Sequence, residues 1–285
     1  MSKFFLTILV SSSLVFWGCV EEPVIEIPVS NDPATSSLSA LAEVISTFDI
    51  VEDVVSRNEF FLKKDDSFLP SSVIFYFTDT SFNDGDGLEA MLDFGSLGNA
   101  PHGVLCKDHK YRAGKIWLSL NKPYNESDAQ LTISFSSEFP FYSGDGEVMN
   151  AMKGNLTLTR ASDNELILES SDLIFTTKDK DYQFQSNISI THEEDYGIGL
   201  INDILGFQGN VVITGDLEEV RLSTVMPLVK EYTLDCAKHI LEGVMDIEVS
   251  SSSSEMSIDF DPYKDGACDN KYELTVNDKS VIYEY

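Results

Sequence analysis

Lys115-Ile116-Trp117-Leu118-Ser119-Leu120 and, a little further on, Leu131-Thr132-Ile133-Ser134-Phe135 alternate apolar and polar side chains with a period of two. Successive side chains of a β-strand point to opposite faces, so this alternation marks strands with one buried and one wet face. Working outward, Leu156 and Leu158, then Phe184, Ile188 and Ile190, then Val211 and Ile213, Ile247 and Val249, and Leu274 and Val276 continue the pattern. Turn-forming clusters separate them: Asn83-Asp84-Gly85-Asp86-Gly87, Gly144-Asp145-Gly146, Ser162-Asp163-Asn164 and Lys178-Asp179-Lys180-Asp181. Residues 66–285 therefore read as an antiparallel all-β body, either a β-sandwich or a wide curved sheet. Trp117 lies on the opposite parity from Ile116 and Leu118, so one of those sets faces away from the core or into a second layer. A short helical stretch at 198–205 competes with Gly197, Gly199 and Gly206.

Before the strands the period changes. Leu41, Val44, Ile45, Phe48, Val51, Val54 and Val55 recur at steps of three and four, with Glu43, Asp49, Glu52 and Asp53 between them. The spacing predicts an amphipathic helix over 38–62, packing its apolar face on the sheet with its acids turned to water. Residues 19–37, broken by Pro23, Pro28 and Pro33, read as a tether. Residues 1–18 read as a signal peptide: Lys3, then an apolar run ending at Gly18-Cys19. Gly-Cys at the end of such a run resembles the lipobox of bacterial lipoproteins, whose cysteine carries diacylglycerol and palmitate after cleavage. Phe16 and Trp17 stand where that box usually has Leu and a small residue. The resemblance implies lipidation at Cys19 and an outer-membrane address, facing the periplasm or the cell surface. Several acyl chains on one cysteine would anchor the protein firmly. Glu21 and Glu22, just past the cysteine, resemble the surface-export signals of Bacteroidetes lipoproteins.

Composition narrows the partners. The chain has 19 Lys and Arg against 48 Asp and Glu, a net charge of −29 that becomes one unit more negative when Lys3 leaves with the signal. A surface so acidic repels nucleic acid and anionic headgroups, and it leaves the membrane as a partner only through the lipid. The 42% hydrophobic and 11% aromatic content excludes general disorder and supplies one large core or two smaller ones.

Of four cysteines, Cys19 is assigned to lipid, leaving Cys106, Cys236 and Cys268 for an oxidising compartment. Strands 243–249 and 256–260, joined across Ser250–Ser254, form a hairpin whose open end brings Cys236 and Cys268 together, so these two are expected to form a disulfide. Cys106 then remains as a free thiol; the competing pair is Cys106 with Cys268. Two segments look alike: Leu92-Asp93-Phe94-Gly95 with Gly103-Val104-Leu105-Cys106, and Ile258-Asp259-Phe260-Asp261 with Gly266-Ala267-Cys268. A second alignment sets Cys106-x-x-His109…Gly114 against Cys236-x-x-His239…Gly243. Either implies two related β units. These segments, with Asp269-Asn270-Lys271 and the strand that follows, resemble a group of uncharacterised lipoproteins from Bacteroidetes over most of residues 40–285. That resemblance implies a fold and an address, and no activity.

Catalytic signatures are sparse. Gly-x-Ser-x-Gly, His-Glu-x-x-His and Gly-x-x-x-x-Gly-Lys do not occur, and His192-Glu193-Glu194 lacks a second histidine. Cys106, His109, Cys236 and His239 together form a zinc-type set; the plainer assignment is one disulfide and surface histidines. Asp84 and Asp86 sit in an acidic loop suited to calcium, although turn chemistry alone accounts for it. The exposed aromatic candidates, Trp117 and Phe139-Pro140-Phe141-Tyr142, suit either the core or a glycan. The expectation is a non-catalytic envelope protein with a structural role or a binding role, toward a glycan or an envelope protein. Its alternative is a polysaccharide hydrolase working through a carboxylate pair.

Overall fold

The structure is a computed structural model that describes residues 32–56, 69–79, 82, 87–177, 180–194, 199–216, 218–233, 235–269 and 271–284. Helix α1 spans Asp32–Val55. The strands are β1 (Ile74–Asp79), β2 (Leu88–Asp93), β3 (Val104–Leu105), β4 (Tyr111–Ala113), β5 (Lys115–Leu120), β6 (Gln130–Phe135), β7 (Phe141–Gly144) and β8 (Met149–Ser162). They continue with β9 (Glu165–Thr177), β10 (Lys180–Glu194), β11 (Ile204–Thr214), β12 (Glu219–Glu231), β13 (Glu242–Val249), β14 (Met256–Asp259), β15 (Lys271–Val276) and β16 (Lys279–Glu284).

Among the described residues these form one sheet of sixteen strands, in the order β1-β2-β5-β6-β8-β9-β10-β11-β12-β13-β14-β15-β16. Of the two all-β architectures open to the sequence, the chain takes the wide curved sheet. Every apolar position picked out by alternation points inward: Ile116, Leu118 and Leu120 are buried while Trp117 lies on the outer face, and the pattern repeats through Leu274 and Val276. Of the helical stretch expected at 198–205, residues 199–205 are described and form no helix; the chain turns there, Asp203 N donating to Leu200 O, and Ile204 already opens β11.

A second sheet is unnecessary because α1 is the second layer. From Glu43 to Val55 every side chain is buried. Phe48 packs edge-on to Phe207 of β11 at 5.8 Å, Thr47 meets Met152 of β8, and Ser46 accepts from Arg112 of β4. Strands from separated parts of the sheet thus touch different sides of one helix, which requires the sheet to curl around it. Glycine corners permit the curl. Gly114, between β4 and β5, has φ 83°, and a Cβ there would stand 1.8 Å from the Pro140 carbonyl oxygen. At Gly154, where β8 stops pairing with β7 and begins pairing with β6, φ is 100° and the register with β9 shifts.

The helix differs from its expected form in two ways. It starts earlier, taking residues 32–37 from the expected tether; Pro33 falls in its first turn, where a missing N–H is tolerated. It ends at Val55, where Ser56 folds back on Glu52 O through both N and Oγ; residues 57–62 of the expected helix lie outside the described residues. Its acids, expected in water, are inside the molecule.

Candidate functional site

The buried acids of α1 are each met by a polar group from the surrounding wall. Asp49 accepts from Lys230 Nζ at 2.6 Å, near the end of β12, and from Tyr232 Oη at 2.5 Å, just past that strand. Glu43 accepts from Lys110 Nζ at 2.6 Å. Glu52 takes a hydrogen bond from the Tyr124 hydroxyl, and Asp53 accepts from Leu200 N at 3.3 Å. Arg112, fully buried, donates to both oxygens of Asp108 at 2.8 and 2.6 Å and to Ser46. Burial works against every ionised carboxyl here. It raises the Asp49 carboxyl despite the pull of Lys230, and it raises Glu52 to about 7, with Tyr124 and Arg160 opposing and Asp53 and Asp203 adding to the rise. Asp108 feels the same burial, but the Arg112 guanidinium overrides it and holds that carboxyl below its usual value. These groups sew the helix to the sheet; Asp49 and Glu52 are wholly enclosed by core atoms.

One end of the curled sheet is open. The N-terminal turns of α1, the β7–β8 connection, the adjoining ends of β9 and β10, and Gly215 and Glu218 between β11 and β12 surround a cavity of about 620 Å³ there. Ser37 and Glu43 line it from the helix, Asn150 from β8, Lys180 and Tyr182 from β10, and Glu218 from the β11–β12 connection. Glu43 and Asn150 are 5% and 6% exposed, yet Glu43 Oε2 and Asn150 Oδ1 have no hydrogen-bond partner within the protein. Buried acceptors are almost always satisfied, and an unmade hydrogen bond costs roughly 1–3 kcal/mol. Both oxygens are themselves closed off from solvent, so they are unmet acceptors within the protein behind the cavity wall.

Neither residue belongs to a recognisable motif. By its position in the sequence Glu43 reads as a solvent-facing helix acid, and Asn150 has nothing to distinguish it. The available signal was the isolated cation on an inward strand parity: Lys230 lies between Leu228 and Tyr232 on the buried face, and a buried cation demands a buried acid.

The motif residues fall elsewhere. Cys19, Asp84 and Asp86 lie outside the described residues. β13 and β14 pair as a hairpin, Ile247 opposite Met256, and at its open end Cys236 and Cys268 are disulfide-bonded with Cα atoms 5.3 Å apart. The zinc-type set is not assembled: the sulfur of Cys236 is engaged, Cys106 is buried, His109 is exposed, and among the described residues no three metal-ligating side chains cluster. The Cys-x-x-His spacing is that of a turn instead. His109 N donates to Cys106 O at 3.0 Å and His239 N to Cys236 O at 2.8 Å. Burial raises the Cys106 thiol above its usual value, and burial, aided by Lys238, lowers His239.

The two sequence likenesses describe one recurring arrangement. Each turn leads to a glycine, Gly114 or Gly243, that opens a strand; Phe94 N donates to Gly114 O at 2.9 Å and Phe260 N to Gly243 O at 3.0 Å. Asp93 and Asp259 each cap the backbone two residues on. The Asp-Phe strand precedes the turn in the first case and follows it in the second, so no linear alignment contains both likenesses. On the outer face Trp117 packs on Phe139 at 6.3 Å, with Lys115 Nζ 5.1 Å from the Phe139 ring, while Phe141 is buried in the core.

Among known proteins the chain matches no family model, no curated protein and no solved structure.

Proposed function

We propose that this chain is a lipid-anchored envelope protein, held at the outer membrane through Cys19, that binds a small polar ligand in the open mouth of its curled sheet and does not transform it. The observation that carries the binding reading is the cavity of about 620 Å³ beside the N-terminal turns of α1, lined largely by polar residues such as Ser37, Glu43, Asn150, Lys180 and Glu218. Size favours it too, since ligand pockets are commonly several hundred Å³. Against a hydrolase, the two carboxyls raised by burial, Asp49 and Glu52, sit sealed between the helix and the sheet with Lys230, Tyr232 and Tyr124, and neither lines the cavity. The net charge argues against nucleic acid as the ligand.

The anchor is tested by fractionation. A Cys19→Ala variant of the full chain, expressed in a bacterium with lipoprotein export, is expected to move from membranes to the soluble fraction. Retention of that variant on membranes after a carbonate wash would falsify the anchor, and would leave the cavity untouched.

A further inference from the structure

We infer that the free edge of β16 is a self-association surface: two copies of the chain pair β16 against β16, antiparallel, about a two-fold axis at Ile282, and so join their sheets into one. This stands apart from the binding reading above.

Among the described residues β16 closes the strand order, with β15 as its one neighbour. The turn before it decides which of its backbone groups are spare. Asn277 and Asp278, both at positive φ (47° and 66°), form a two-residue hairpin loop between Val276 and Lys279. The residues that close such a loop exchange both backbone hydrogen bonds, and along an antiparallel pair bonded and unbonded positions alternate. Lys279, Val281 and Tyr283 therefore direct N–H and C=O toward β15, while Ser280, Ile282 and Glu284 direct theirs to the free edge. The other flank of β15 agrees with this phase, since Asn277 N donates to Glu255 O on the β14 side.

Exposed edges are ordinarily blunted by a proline, a bulge or a charge pointing inward from the strand. β16 has no proline, pairs with β15 from Lys279 to Glu284 without a register shift, and keeps its charges at its two ends. Its middle is apolar. Val281 and Tyr283, on the concave face, are half-buried, and Ile282, on the convex face, is 41% exposed. Tyr283 stacks on Tyr272 of β15 at 5.4 Å, which leaves its other flank toward the free edge.

The strand is complementary to its own reverse. With the axis at Ile282, Ser280 of one copy stands opposite Glu284 of the other, so every spare N–H and C=O finds a partner. The same register sets Val281 across from Tyr283 on the concave face and Ile282 across from Ile282 on the convex face, apolar pairs of the kind that stabilise sheets. Each Lys279 end lies beside a Glu284 end, and no like charges stand opposite one another. A foreign strand could use the same backbone groups; the match at the ends and the centre favours a second copy. A net charge of −29 on each copy opposes the approach, and salt screens that repulsion. A single strand pair is also a small interface, so the dimer is weak and strengthens with salt.

Sedimentation of the full-length protein in density-matched detergent, over a concentration series, is expected to show a monomer–dimer equilibrium that moves toward dimer on adding sodium chloride. Ile282→Pro removes an N–H that faces the free edge and leaves the β15 pairing intact. That variant is expected to stay monomeric with the parent's circular dichroism spectrum. Cross-linking reads the register in an otherwise unaltered fold. Cys236 and Cys268 are bonded to each other and Cys106 is buried, so a thiol placed on β16 is the reactive one among the described residues. Opposed residues of a hydrogen-bonded pair have Cα atoms about 5.5 Å apart, within disulfide reach. Mild oxidation is therefore expected to convert Ile282→Cys into a covalent dimer. Ser280→Cys, whose two copies would lie about 13 Å apart, is expected to stay unlinked. A monomer at every concentration and salt, with no cross-link at position 282, overturns the inference. So does a dimer that survives Ile282→Pro or that links better at 280 than at 282, because the interface then lies elsewhere. A cross-link from position 282 to a different protein in whole cells, in place of a second copy, would also overturn it.

Discussion

Lys230 shows how a single side chain directs this interior. It sits on a strand face otherwise given to Leu228 and Tyr232, and it is tolerated because Asp49 waits 2.6 Å away on the helix. A charge pair in such a place adds little net stability over a hydrophobic pair, but losing one member leaves the other stranded. Glu52 is the case with a titration. Its folded carboxyl is raised to about 7 from the usual 4.5, so between those values the folded state binds more protons than the unfolded state. Stability is therefore undiminished by this group below about pH 4.5 and declines as pH rises through 7. The difference amounts to on the order of 3 kcal/mol. A Glu52→Gln variant keeps an acceptor for Tyr124 and has no charge to bury. Urea unfolding at pH 5 and pH 8 is expected to show the parent losing stability at pH 8 relative to the variant; parallel behaviour of the two proteins would remove Glu52 as the source.

At the scale of elements, the β13–β14 hairpin and the helix make different demands. The hairpin is short: four residues of β14 pair with β13, and the chain beyond it turns through the Asp261 loop before β15. The Cys236–Cys268 disulfide, with a sequence separation of 32, closes its open end and restrains the unfolded chain. In the chain-entropy picture that is worth about 3–4 kcal/mol. Cys236→Ala with Cys268→Ala is expected to lower the free energy of unfolding by that order while leaving the far-ultraviolet spectrum unchanged. A midpoint in guanidinium equal to that of the parent would show that the link contributes nothing. The glycine corners belong to the same scale: a Cβ at Gly114 collides with the Pro140 carbonyl, so the β4–β5 bend admits no other residue without movement of the β6–β7 corner.

Among the described residues one hydrophobic cluster runs from Ala34 in the helix to Val276 in β15. Two related β units, if they were separate bodies, would each hold a core; here the recurring Gly–strand and Asp-Phe arrangement occurs twice in one sheet, wrapped about one helix. Removing residues 32–55 is therefore expected to empty the concave face along its length and to abolish cooperative unfolding altogether, with dye binding to the exposed apolar face. A truncated chain that retained a sharp thermal transition for its second half would argue for an independent unit there. The strands were legible in the sequence because alternation is local: Ile116, Leu118 and Leu120 declare an inner face without reference to anything distant. The helix was legible in existence, from Leu41, Val44, Ile45 and Phe48, but not in its surroundings. Steps of three and four define a stripe, whereas burial on every side depends on how far the sheet curls, and that depends on bends such as Gly114 and Gly154 acting together. Fold class, the helix and the inward set of apolar residues were thus determined by the chain's own periodicity. The single curled sheet in place of a sandwich, the partners of Asp49 and Glu43, and the mouth cavity were decided only by tertiary structure, because the cavity draws its wall from one helix and from strand ends and turns far apart in the chain, whose meeting no local pattern encodes.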